Sequence, residues 1–147
     1  MSLTLLSTSE TLELYLDKEN TWLYLDWKGT LDLHNVQADC QKILAAIDQS
    51  GVKKALNDNS RITKISWELV KWVVDEYLLT AGQAGIDYVA WVHSQALDCR
   101  SDIDQLLPVA DNLPPQVALF DDVAAAYAWL QNINVPVLPA GQHQPFG

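Results

Sequence analysis

Leu56-Asn57-Asp58-Asn59-Ser60-Arg61, running through Ile62-Thr63-Lys64-Ile65 into Ser66-Trp67-Glu68-Leu69-Val70-Lys71-Trp72-Val73-Val74, is the stretch whose reading decides the fold. Ala55-Leu56-Asn57 reads as a short strand. Asn, Asp and Ser crowd the next positions, and such side chains bond the local backbone in turns, so the strand is expected to end at Asp58. Beyond the turn, Val70, Val73, Val74, Tyr77 and Leu78 recur as a broad apolar helical stripe. Glu68, Lys71 and Asp75 share the opposite face at spacings suited to ion pairing. Gly82 and Gly85 close this helix.

Before that stretch, residues 12 to 17, Leu-Glu-Leu-Tyr-Leu-Asp, alternate as a half-buried strand does, and Lys18-Glu19-Asn20 follows as a turn. Residues 22 to 28, Trp-Leu-Tyr-Leu-Asp-Trp-Lys, form a second strand closed by Gly29, so the pair reads as an antiparallel hairpin. From Asp32, an N-cap, residues Val36, Cys40, Ile43, Leu44 and Ile47 mark one helix face, and Gly51 stands where a left-handed C-terminal residue belongs.

After it, Asp87 to His93 is nearly continuous in apolar character, as in a strand covered on both faces. Ser101 to Leu107 reads as a short helix ended by Pro108. Gln116 to Phe120 supplies the last strand, and Asp121-Asp122 caps a helix with Val123, Tyr127 and Leu130 facing inward. Helices between successive strands imply parallel crossovers. The expectation is an α/β fold: a mixed sheet of five strands with an N-terminal hairpin and about four helices. One domain spans residues 1–131, and residues 132–147 form a Pro/Gly-rich tail whose Val135-Pro136-Val137-Leu138-Pro139 is a loose extension or lies on a neighbouring surface.

A chain of 147 residues is long enough to bury a core without disulfides or metals. Cys40 and Cys99 stand far apart with no metal-ligand or redox spacing, so neither a zinc site nor a cofactor is expected. The net charge of −10 would repel phosphate backbones and anionic lipid, which argues against nucleic acid and membrane as partners. The start of the chain lacks the pattern of a signal peptide, which points to the cytoplasm.

In parallel sheets, ligands gather at the carboxyl ends of strands. Asn57, Asp58, Asn59 and Ser60 are expected at that edge with His93 and Ser94, either as a binding cluster or as ordinary turn formers. A phosphate-accepting receiver site would need carboxylates after the first strand and a lysine after the last, where Asp121 and Asp122 stand instead. Ser60 or Ser94, His93 and Asp58 make a hydrolase-like trio on paper, but the Gly-x-Ser-x-Gly elbow is absent. Gly-rich phosphate loops are absent too, and no catalytic set is expected. Six tryptophans are mostly core material. Trp67 and Trp72, at the start of their helix and beside Lys71, are the two that could contact another chain, a second copy being the simplest.

Asp26-Trp27-Lys28-Gly29, Leu56-Asn57-Asp58-Asn59, the helix from Trp67 to Trp72, Ala90-Trp91-Val92-His93-Ser94 and Phe120-Asp121-Asp122 through Ala128-Trp129-Leu130 together resemble the SpoIIAA-like branch of the STAS superfamily, over about residues 10 to 131. The resemblance implies a bacterial cytoplasmic protein that acts through protein contacts. Better-known relatives antagonise anti-sigma factors and are switched by phosphorylation of a serine at the start of the helix after the third strand. Ser66 is the counterpart, with Ile65-Ser66-Trp67-Glu68 in place of the relatives' Asp-Ser-x-Gly. From the residues themselves, Ser66 is an N-cap. Other relatives bind lipid in a larger domain, a cavity this short chain is not expected to enclose.

Two functions therefore stand open. The first is a non-enzymatic regulatory domain with its contact surface around residues 57 to 68. The alternative is a small-molecule binder, or less directly an enzyme, using Asp58 and His93. A closed apolar pocket would favour the alternative, and a flat tryptophan-rich surface the first.

Overall fold

The computed structural model describes residues 1–94 and 115–134. Cys99, the helix expected over 101–107 and the tail beyond residue 134 lie outside the described residues. Six strands form one sheet in sequence order: β1 (Leu3–Thr8), β2 (Leu12–Asp17), β3 (Trp22–Thr30), β4 (Lys54–Lys64), β5 (Tyr88–Val92) and β6 (Gln116–Phe120). The first three are antiparallel neighbours, and β3 to β6 run parallel. The α/β class, the hairpin and the parallel half are as expected.

Among the described residues the strand count is six rather than five because β1 was not anticipated. Its apolar residues do not alternate, and the register skips a residue between Leu5 and Ser7. A bulge of this kind breaks the period of two by which a strand is recognised.

β4 also departs from expectation. The polar run does not end the strand at Asp58; pairing with β3 continues to Lys64. Turn-forming side chains stay extended here because each finds a partner across the sheet, as described below. Asp26 pairs with Asp58 but Lys28 pairs with Arg61, so β4 carries a bulge after Asp58. Asp58 and Arg61 thereby share one face although they are three residues apart.

Helix α1 (Leu33–Ser50) is capped by Asp32, whose carboxylate accepts from the Asn35 N–H, and ends at left-handed Gly51, whose N–H reaches the Ile47 carbonyl. The second helical region has three segments: α2 (Trp67–Trp72), a π-helical turn (Val73–Tyr77) and α3 (Leu78–Ala84). Ser66 caps it, its hydroxyl accepting from the Leu69 N–H at 3.1 Å. The last helix, α4 (Val123–Asn132), is capped by Asp122.

Odd and even strand positions serve two cores, since successive side chains point to opposite faces. Leu12, Leu14, Leu23, Leu25, Ala55 and Val89 join α1, α2 and α3. Trp22, Leu56, Ala90 and Val92 join Ala126 and Leu130 of α4. No helix among the described residues is long and apolar enough to cross a membrane.

Candidate functional site

Alternation along β4 divides the expected cluster. Asn57 and Asn59 face the side of α1, α2 and α3, and Asp58 faces the other. The single strand-edge site drawn around Asp58 and His93 therefore does not form, and neither does the trio of Ser60 or Ser94 with His93 and Asp58. Two separate constellations take its place.

The first is a pocket between the sheet and the helices α1 to α3. Leu25, Ile43, Leu69 and Val89 give it an apolar wall, and Asn57, Asn59, His93 and Ser94 a polar end. About 50 Å³ of it is open to the centre of a water molecule, where a single water needs roughly 10–15 Å³. The π-helical turn shapes this wall: the Leu78 N–H bonds the Val73 carbonyl five residues back, and Val73, Tyr77, Leu78 and Ala81 all line the pocket.

The polar end is built by long-range partners. The indole Nε1 of Trp27 donates to Asn57 Oδ1 at 2.8 Å, and Asn57 Nδ2 donates to Asn59 Oδ1 at 3.2 Å. The Ser94 hydroxyl donates to the Ile62 carbonyl at 2.8 Å, which ties the end of β5 to β4 beyond its bulge. Both asparagines and His93 are buried. No lysine, arginine, aspartate or glutamate lines the pocket among the described residues; Asp39, buried on α1, accepts instead from the Thr11 hydroxyl. Burial pushes the Cys40 thiol well above its ordinary range, the nearby Asp39 charge adding to it, and burial does the same to the Tyr77 phenol. Both stay neutral.

The second constellation lies on the opposite face of the sheet, the side of α4. Tyr24 donates to Asp58 Oδ2 at 2.6 Å, and the Ser60 N–H donates to Asp58 Oδ1 at 3.0 Å. Arg61 pairs with Asp26 at 2.6 Å and with Glu13 at 3.6 Å, and Lys28 pairs with Glu13 at 3.3 Å. These are the ion pairs among the described residues, so the expected Glu68, Lys71 and Asp75 pairs do not form. Burial holds the Asp26 carboxyl above the usual range, the Arg61 charge opposing and the Asp58 charge reinforcing the shift. Tyr24 is likewise raised, first by burial and then by its bond to Asp58. The arrangement is a cross-strand ladder in which Glu13 and Asp26 share the cations Lys28 and Arg61, while Asp58 is held by neutral donors and Asp26 Oδ1 has no hydrogen-bond partner among the described residues. No group of His, Cys, Asp or Glu able to hold a metal occurs among the described residues.

Ser66 and Trp67 sit apart from both constellations. Ser66 is exposed at the helix start, and Trp67 is 46% exposed. The other tryptophans do not extend this surface: Trp22, Trp27 and Trp91 are buried, and Trp72 stacks on Tyr77 with ring centroids 6.3 Å apart. The pocket was missed in the sequence because its polar end depends on Trp27, thirty residues before Asn57.

No family model and no curated protein matches the chain. Solved structures do. An uncharacterised protein of the DUF3478 family with a SpoIIAA-like fold, from Shewanella loihica, superposes with a TM-score of 0.55 at 19% identity, covering 85% of this chain and 98% of that one. The anti-sigma factor antagonist SpoIIAA in its unphosphorylated form superposes with a TM-score of 0.52 at 17% identity, covering 90% of this chain and 99% of that one. The fold is SpoIIAA-like.

Proposed function

We propose that this chain, a SpoIIAA-like domain, is a non-enzymatic cytoplasmic binding protein that takes a small, largely apolar molecule into the pocket beneath α1, α2 and α3. The observation that carries this reading is the pocket itself: a concave apolar wall with a few convergent polar groups is the usual form of a small-molecule site. Of the two open functions, this is the one a pocket was expected to favour.

A second reading rests on Trp67. An exposed tryptophan at a helix start suits a contact with another protein, either a second copy or a regulatory partner as in the relatives that antagonise anti-sigma factors. In that reading Ser66 is the candidate phosphorylation site. A phosphate there would be favoured by the helix N-terminus and opposed by Glu68.

Native mass spectrometry of the protein purified gently from its own host separates the two. A retained small molecule that is lost in an Ala81→Phe variant, whose new ring fills the pocket, supports the first reading. A chain of bare mass in complex with a protein, with phosphate localised to Ser66, overturns it in favour of the second.

A further inference from the structure

The pocket's polar end has a fixed hydrogen-bonding polarity, set by Trp27. An indole N–H can only donate, so the Asn57 atom it meets at 2.8 Å must be the oxygen. The Asn57 amide nitrogen then faces Asn59 at 3.2 Å, and a nitrogen donor requires an oxygen there too. One donor-only group thereby fixes the orientation of both amides, and what remains over is the Nδ2 of Asn59. Asn59 is only 5% exposed and lines the pocket, and its Nδ2 has no hydrogen-bond acceptor among the described residues. That atom is not among the sealed polar atoms that lack a partner, so it is accessible from the pocket, and a ligand oxygen can accept from it without displacing a protein group.

The wall excludes charge as firmly as the end asks for an acceptor. Its thiol and phenol, Cys40 and Tyr77, are held neutral, and among the described residues it contains no acidic or basic chain apart from the imidazole of His93. An ionised head group brought here would be desolvated without a fixed counter-charge.

Resting on the pocket reading above, we propose that the ligand class is a small neutral molecule with an apolar body and one hydrogen-bond-accepting oxygen, such as a ketone, aldehyde or ester, whose oxygen accepts from Asn59 Nδ2. Carboxylates and ammonium compounds of the same length are rejected, the first for its charge and the second also because it offers only donors.

The test titrates the full chain with 2-heptanone, heptanoate and heptylammonium at about pH 8.5, above the ordinary imidazole value of about 6.5. The readout is the indole N–H resonance of Trp27, which reports on Asn57. The ketone is expected to bind at least about tenfold more tightly than either ion, a discrimination of roughly 1.4 kcal/mol or more. Asn59→Asp keeps the shape and the acceptor for Asn57 but replaces the spare donor with a carboxylate oxygen, and should abolish that preference. Its fold is checked by an unchanged Trp27 resonance before titration. Equal or tighter binding of heptanoate or heptylammonium overturns the polarity argument while leaving the pocket as a binding site. Should none of the three bind, the pocket reading fails and this inference fails with it. A ketone preference that survives in Asn59→Asp, with the Trp27 resonance intact, overturns the role of Asn59 alone.

Discussion

The two faces of the sheet handle polar residues in opposite ways. Beneath α1, α2 and α3, the polar groups of the pocket are two amides, an imidazole and a serine hydroxyl gathered at one end of an apolar wall. On the face of α4, the apolar part is a compact patch around Trp22, Leu56 and Leu130, and the rest is a ladder of charges from Glu13 to Arg61. The same strand, β4, feeds both, Asn57 and Asn59 to one side and Asp58 to the other. On the reading proposed above, the pocket admits a guest through the spare donor of Asn59. The ladder pairs Glu13 and Asp26 with Lys28 and Arg61 across strands. Polarity in a strand thus acquires its meaning from the face it lands on.

The largest effect that would sharpen this contrast comes from the two cores. Trp22 is 1% exposed and packs edge-on against Tyr127 at 5.1 Å, with the Lys54 ammonium 5.8 Å from its ring. Trp22→Ala should cost about 3–5 kcal/mol. Ile43→Ala widens a pocket that already exists, and should fall nearer the lower end of about 2–5 kcal/mol. Urea unfolding of both variants measures the difference; an Ile43→Ala cost as large as that of Trp22→Ala would mean that the pocket wall is packed as tightly as the α4 core.

A smaller effect probes the ladder. Tyr24→Phe removes the donor to Asp58 Oδ2 and leaves a buried carboxylate short of a partner. The expected loss is about 1–3 kcal/mol by the same unfolding measurement. A neutral outcome would show that Asp58 is hydrated, and that this end of the face is wetter than its burial implies.

The smallest effect is a pH dependence. The folded-state pKa of Asp26 lies above the ordinary carboxylate value, so the folded chain holds that proton more tightly than the unfolded chain. Stability from this group is therefore highest below the unfolded value of about 3.9 and declines as pH rises through the folded one. Thermal melts from about pH 4 to 7 should show wild type losing ground to Asp26→Asn as pH increases. Glu13 acts in the opposite sense, its carboxyl lowered first by the hydrogen bond from Lys28, but it is common to both proteins and cancels in the comparison. A difference that grows with pH in favour of wild type would mean that Arg61 outweighs burial at Asp26.

Much of the scaffold was legible in the sequence because its signals are local. Asp32, Ser66 and Asp122 cap the helices they were expected to cap, Gly51 is left-handed, and the hairpin and the last two strands follow their apolar patterns. What was not legible depends on distant partners. Asn57-Asp58-Asn59 has the composition of a turn, and it remains a strand only because Trp27 and Tyr24 of β3 meet it on opposite faces. Strand β1 was hidden by its bulge. The candidate site inherits both difficulties: His93 and Asp58, read together at one strand edge, fall on opposite faces of the sheet, and the amide orientation of Asn59 follows from an indole that no local pattern connects to it.

The π-helical turn between Val73 and Tyr77 bears on how this helix tolerates changes in length. An α-helix advances about 100° per residue, so deleting one residue from the middle of α1 would swing half of its inward face toward solvent. Within the π-turn the same deletion can be taken up by closing the wider loop of backbone into an ordinary α-turn, with Leu69 and Val70 on one side and Leu78 and Ala81 on the other keeping their bearings. The helix carries one spare residue, and it carries it in the wall of the pocket.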